Sequence, residues 1–142
     1  MKQKVKAWVL FDGGTKFGEG RAELLRRIGA EGSLRRAVEQ MEMSYRAAWG
    51  YVQELEAAAG FALIERAGKG PRSGTRLTER GRAFLAAFEV FHSRLDAAAD
   101  REFRSAFAGF LQCGQAPGAK PRRAGARSVP PRQARGTPRR RA

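Results

Sequence analysis

A single cysteine, Cys113, and a single histidine, His92, are all that 142 residues offer for thiol or imidazole chemistry. One cysteine cannot close an intramolecular disulfide, and no Cys/His cluster has zinc-ligand spacing, so a disulfide scaffold and a zinc finger are both excluded. His92 stands beside Phe91 without a second ligand, and Cys113 has no partner histidine placed to activate it. Walker loop, dinucleotide fingerprint, HExxH and Ser/His/Asp arrangements are all missing. Neither an enzyme nor a metal or cofactor site is expected. Long apolar runs are missing too: nothing approaches the roughly 20 residues of a membrane-spanning helix. Residues 1–11 hold too short an apolar stretch for a signal peptide. The expectation is a soluble, cytoplasmic protein.

Acidic residues are the other shortage. Lys and Arg number 28 against 14 Asp and Glu, a formal charge of +14 that points to a polyanionic partner. Residues 114–142 carry nine of the basic residues, no acidic one and no apolar side chain larger than Val129. Such a stretch cannot bury enough surface to offset its ordering entropy, so it is expected to be a disordered Arg-rich tail. It serves either as a solubilising extension or as a flexible arm adding phosphate contacts. The 19 basic and 14 acidic residues of 1–113 leave only +5 there. Recognition by that part must come from placement of charge.

The pattern predicts a mainly α domain over residues 1–113 with a small β wing. Val5–Phe11 reads as a strand stopped by the Asp12-Gly13-Gly14 turn signal. A helix follows over about 21–29, burying Leu24, Leu25 and Ile28. Ser33 caps a second helix whose apolar residues Leu34, Ala37, Val38 and Met41 recur at i, i+3, i+4 and i+7. Glu42-Met43 is a tight connection, and Ser44 caps a third helix that Gly60 ends. Its inward side is Ala48, Val52, Leu55 and Ala59; Arg46, Gly50, Gln53 and Ala57 lie opposite, with Tyr45 and Trp49 on a flank. Two helices so joined describe a helix-turn-helix over 33–59. Phe61–Arg66, the loop 67–74 and Thr75–Thr78 read as a basic-tipped hairpin, a wing over 61–78. Thr78 caps a long helix over 79–111, on which Phe84, Phe88, Phe91, Leu95 and Ala98 form a seam that Phe103, Phe107 and Phe110 extend. Its first turns close the core, through Phe84 and Phe88. The rest needs a second surface, and pairing with the same helix of another chain supplies it. The dimerisation residues expected are Phe88, Phe91, Leu95 and Phe103.

The third helix is the one expected to face base edges. Arg46 suits a guanine's O6 and N7; Gln53 reads adenine or holds a phosphate; Ser44 presents its helix's first amides to a phosphate. Tyr45 and Trp49 either pack inward or lay their edges on sugar and backbone. Arg66, Lys69, Arg72 and Arg76 of the wing would hold phosphates or enter the minor groove. Arg35 and Arg36 either touch flanking phosphates or are simply solvated.

The blocks Gly32-Ser33-Leu34 through Ala37, Met43-Ser44-Tyr45-Arg46-Ala47-Ala48-Trp49, Leu63-Ile64-Glu65-Arg66 and Leu77-Thr78-Glu79-Arg80-Gly81 together resemble the N-terminal domain of ModE-type molybdate-responsive transcription regulators. More broadly they resemble the LysR-type winged helix. The likeness covers about residues 5–100. It implies a dimeric winged-helix DNA binder with helix 44–58 in the major groove of double-stranded DNA. Three departures matter. Pro71-Arg72-Ser73 interrupts a wing that is usually glycine-rich. Gly50 stands where a larger or charged residue is common. Family members add an oxyanion-binding domain, whereas only the Arg-rich stretch follows Phe110 here, so no molybdate site is expected in this sequence. A sequence-selective regulator acting as a homodimer is one reading; a nucleoid-type or RNA-binding protein driven by the tail is the other. An effector could also reach the protein through a separate partner on the long helix.

Overall fold

The computed structural model describes residues 1–70 and 73–111. Arg72, Cys113 and the stretch 114–142 expected to be disordered lie outside the described residues.

The strand expected over 5–11 narrows to β1, Val9–Leu10, which pairs antiparallel with β2, Lys16–Phe17. The Asp12–Gly14 turn forms between them: Gly14, at φ 83°, donates to the Phe11 carbonyl at 2.8 Å. β2 has no sequence signature, yet it delivers Phe17, fully buried and edge-on to Phe84 and Phe88 with ring centroids 4.8 and 4.9 Å away. Helix α1, Glu19–Glu31, is longer than its apolar pattern predicts and stops at Gly32, left-handed at φ 63°. Its buried side is Ala22, Leu24, Leu25 and Ile28.

Helices α2, Leu34–Gln40, and α3, Tyr45–Ala59, are capped as their sequences require. Ser33 Oγ accepts from the Arg36 amide at 3.4 Å and Ser44 Oγ from the Ala47 amide at 3.1 Å. The connection between them is closed by the Met43 amide on the Val38 carbonyl, 3.1 Å, with Glu42 in the left-handed region at φ 52°. Among the described residues no other non-glycine has a positive φ.

The wing consists of β3, Ile64–Ala67, and β4, Gly74–Leu77, antiparallel with Ile64 opposite Leu77 and Glu65 opposite Arg76. It begins three residues later than expected because the backbone of Leu63 has other partners. Its N–H donates to Glu56, and its carbonyl accepts from the Thr78 amide at 2.9 Å. Helix α4 spans Glu79–Ala106 from a Thr78 cap. The unbroken helix expected to 111 instead tightens at Phe107, whose carbonyl accepts from both Phe110 and Leu111, and a short α5, Ala108–Leu111, follows. Phe107 packs on Phe103, centroids 4.9 Å apart.

One core joins α1, α2, α3, the wing root and the first turns of α4. Leu85 belongs to it, though the seam pattern passes it over. Phe88 also belongs to it at 3% exposure, which corrects its assignment to a dimer seam: the ring is used up inside the domain by Phe17.

Charge fastens the outside of α1. Arg26 binds Glu19 and, on α4, Glu89, each at 2.7 Å, and also Glu23; Arg27 binds Glu23 at 2.7 Å and Gln40 of α2 at 2.6 Å. The Arg27 hydrogen bond, then that of Arg26, holds the Glu23 carboxyl below its ordinary value of 4.5. A depressed pKa stabilises the fold above the unfolded value, and that stability is lost as pH falls through the folded one. Glu23 is over a third exposed, so the effect is small and salt-sensitive. The advantage of wild type over Glu23→Gln in thermal midpoint should shrink as pH falls from 7 into the carboxylate range. A gap that stays constant would show that the arginines do not act on this carboxylate.

Candidate nucleic-acid interface

Helix α3 is two-sided. Ala48, Val52 and Leu55 are buried at 1% exposure or less, while Ser44, Arg46, Gly50, Gln53 and Ala57 are exposed on the other side. Tyr45 and Trp49 are 50% and 41% exposed, so both flank residues take the surface position of the two open to them. A polar groove of about 610 Å³ runs from the first turn of α2 past Tyr45 to the wing, with Arg35, Arg36, Ala67, Ser73 and Thr75 among its walls. Helix-turn-helix and wing thus border one concave surface.

Two backbone contacts fix the wing there. The Thr75 amide donates to the Gly32 carbonyl at 2.9 Å. A Cβ on Gly74 would stand 2.3 Å from that same oxygen, so glycine is required for the approach. At the wing root, one Glu56 oxygen accepts from the amides of Leu63 at 2.7 Å and Ile64 at 3.1 Å. Sequence reasoning missed Glu56. A carboxylate in the last turns of a helix opposes the macrodipole, which was a signal that it has a partner elsewhere. Glu56→Gln keeps an acceptor but loses the charge on these bonds, and should cost about 1 kcal/mol in urea unfolding. An unchanged midpoint would mean that the carboxylate does not carry the wing root.

The basic residues divide into engaged and free. Arg66 donates to Ser73 Oγ at 2.6 Å and to the Gly70 carbonyl at 3.0 Å, bracing the wing loop from within. Arg76 pairs across the hairpin with Glu65 at 2.7 Å. Arg82 donates to the Leu77 carbonyl at 2.8 Å, and Arg80 lies 5.0 Å from the Phe61 ring centre. Arg35, Arg36, Arg46 and Lys69 are exposed, and among the described residues their side chains make no hydrogen bond or ion pair. On the far flank of α3, Arg21 of α1 binds Glu54 at 2.9 Å and stacks over Tyr51 at 5.0 Å, a tie that the sequence reading did not identify.

The chain is similar to the molybdenum transport protein ModE of Azotobacter vinelandii, with 34% identity over 91 residues, 63% of this chain and 34% of that protein. It therefore spans about a third of the length of that relative. A chain in a crystal structure of the CbnR DBD–DNA complex aligns at 24% identity and TM-score 0.49, covering 61% of this chain and 95% of that one. The family described as bacterial regulatory helix-turn-helix protein, lysR family, matches residues 21–82, from the first turn of α1 to the first turn of α4. Residues 21–82, which that family model matches, fold here as the helix-turn-helix and wing that the sequence blocks in α2, α3 and the wing lead one to expect.

Proposed function

We propose that the chain is a sequence-selective DNA-binding transcription regulator that places α3 in the major groove. The observation that carries this reading is the exposed side of α3. Its Arg46 and Gln53 are uncovered on the side opposite a fully packed face, and the groove at its start leads to the wing. An exposed helix face lined by polar hydrogen-bonding side chains and free of covering structure suits base-edge readout. Lys69 at the wing tip, with Arg35 and Arg36, would supply phosphate contacts that set register.

A homodimer through α4 belongs to the same reading. The buried residues of α4 are Gly81, Leu85 and Phe88, all in its first ten positions. Beyond them Val90 and Phe91 are 49% and 45% exposed and, with Ala86, Ala87, Arg94 and Leu95, line an open depression of about 680 Å³. An apolar stripe of this kind on a helix that outruns its own core calls for a partner surface. Phe91 and Leu95 are the proposed seam; Phe103, expected to extend it, instead packs on Phe107 and borders a groove with Met1 and Gln3.

Selection of bound sequences from a random duplex library tests both parts together. A motif repeated about a two-fold axis is the expected result, because two copies of α3 must meet two half-sites. Phe91→Glu should leave the domain folded but yield a monomer in sedimentation, with only a single half-site enriched. Recovery of no motif at all would favour the nucleoid-type reading that the +14 charge alone supports.

A further inference from the structure

The segment ahead of β1 has the periodicity of a strand and, among the described residues, no strand beside it. Gln3, Val5, Ala7 and Val9 are half-buried while Lys2, Lys4, Lys6 and Trp8 are exposed, an alternation with period two. The segment borders α4 and the start of α1. Met1, Lys2 and Gln3 line a groove of about 620 Å³ with Phe103 and Leu111, and Lys4, Val5, Lys6, Ala7 and Trp8 line one of about 370 Å³ with Glu19 and His92. Pairing stops at Val9 opposite Phe17, because β2 then turns into α1 and the neighbouring strand runs out. Among the described residues, no backbone N–H or C=O of residues 1–8 takes part in a hydrogen bond. An edge of this length with unmade ladder bonds is a template for another extended chain.

Charge selects the occupant. Lys2, Lys4 and Lys6 have no ion pair among the described residues. The carboxylates bordering the two grooves are already taken, Glu19 by Arg26 and Asp100 by Arg104. We propose that residues 2–8 are a docking edge for an extended acidic segment of another protein. That segment would add as a strand and set alternate carboxylates beside the three lysines. A second copy of this chain is a poor occupant, since antiparallel self-pairing sets lysine against lysine. Duplex DNA held at α3 is also a poor one. Asp100, in the groove beside Gln3, and His92, in the groove beside Val5, lie about 30 and about 20 Å along α4 from the wing end at 1.5 Å per residue.

The test is a titration of the full chain with a fluorescent peptide alternating glutamate and valine, read by anisotropy at low salt. The same peptide methylated on alternate backbone nitrogens, and one with lysine for glutamate, serve as comparisons. The parent peptide should bind, methylation should weaken it about tenfold or more by removing ladder donors, and the lysine peptide should not bind. Lys2→Glu, Lys4→Glu and Lys6→Glu combined should abolish binding with an unchanged circular dichroism spectrum. A triple alanine variant, Lys2→Ala, Lys4→Ala and Lys6→Ala combined, should keep its affinity for duplex DNA. Equal binding of the methylated peptide would overturn strand addition, and absence of binding by the parent peptide would overturn the proposal outright. Loss of DNA affinity in the triple alanine variant would reassign the edge to nucleic acid.

Discussion

Gly81→Ala should destabilise the fold by about 3 kcal/mol, whereas Gly50→Ala should stabilise it by about 0.5–1 kcal/mol. Both glycines sit inside helices, where alanine ordinarily gains because it loses less backbone entropy. At Gly50, on the exposed side of α3, a Cβ meets nothing within 4 Å, so that ordinary gain stands alone. At Gly81 a Cβ would fall 2.2 Å from the Leu63 carbonyl oxygen, with the Leu63 carbonyl carbon and Cα at 3.0 and 3.1 Å. Those are backbone atoms and cannot rotate away. The Leu63 oxygen is also pinned by the Thr78 amide at 2.9 Å, while Thr78 Oγ1 donates to the Ala62 carbonyl at 2.7 Å and accepts from the Gly81 amide at 2.9 Å. Relief of the overlap would push α4 off the wing root and strain all of these bonds at once. Urea unfolding at constant slope separates the two cases, since a shift of midpoint without a change of slope is a change of stability. A neutral Gly81→Ala would mean that α4 does not approach Leu63 this closely.

Gly81 also illustrates what could be read in advance. The Leu77-Thr78-x-x-Gly81 block was visible as a family likeness, and Thr78 as a helix cap, because capping is local chemistry written in adjacent residues. Why a glycine ends that block was not visible, since its reason lies 18 residues away at Leu63. The same division runs through the whole chain. Caps at Ser33, Ser44 and Thr78, the terminators Gly32 and Gly60, and the buried sides of α1, α2 and α3 follow from periodicity and short-range bonding. Phe17 as a core residue, the Glu56 clasp and the Gly74–Gly32 approach depend on tertiary neighbours that no local window contains. Phe88 shows the hazard in periodicity itself. It is in phase with Phe91 and Leu95, yet the domain's own β2 reaches it first. The basic residues of the wing were legible as charge but not as use: Arg66 and Arg76 turn part of their donor capacity inward, and only the folded chain shows which guanidinium groups are spoken for.

That distinction leads to the sharpest expectation for recognition. Arg46 lies in the first turn of α3, exposed, with its side-chain donors uncommitted among the described residues. A planar guanidinium in that state can meet the O6 and N7 of one guanine bidentately, and losing such a pair costs about 1–3 kcal/mol of discrimination at one base pair. Arg46→Ala should therefore flatten preference at one position per half-site by about 5- to 150-fold while leaving the other positions intact. Lys69→Ala should behave differently. A wing-tip cation on a phosphate reads no base, so its loss should weaken all duplexes alike and reduce the slope of log K against log salt by about 0.9. Measuring both variants on a matched set of single-base operator variants over a range of salt separates the roles. If Arg46→Ala weakens every sequence equally, Arg46 is a phosphate contact and α3 does not enter the groove by its first turn. If Lys69→Ala alters base preference, the wing itself reads sequence.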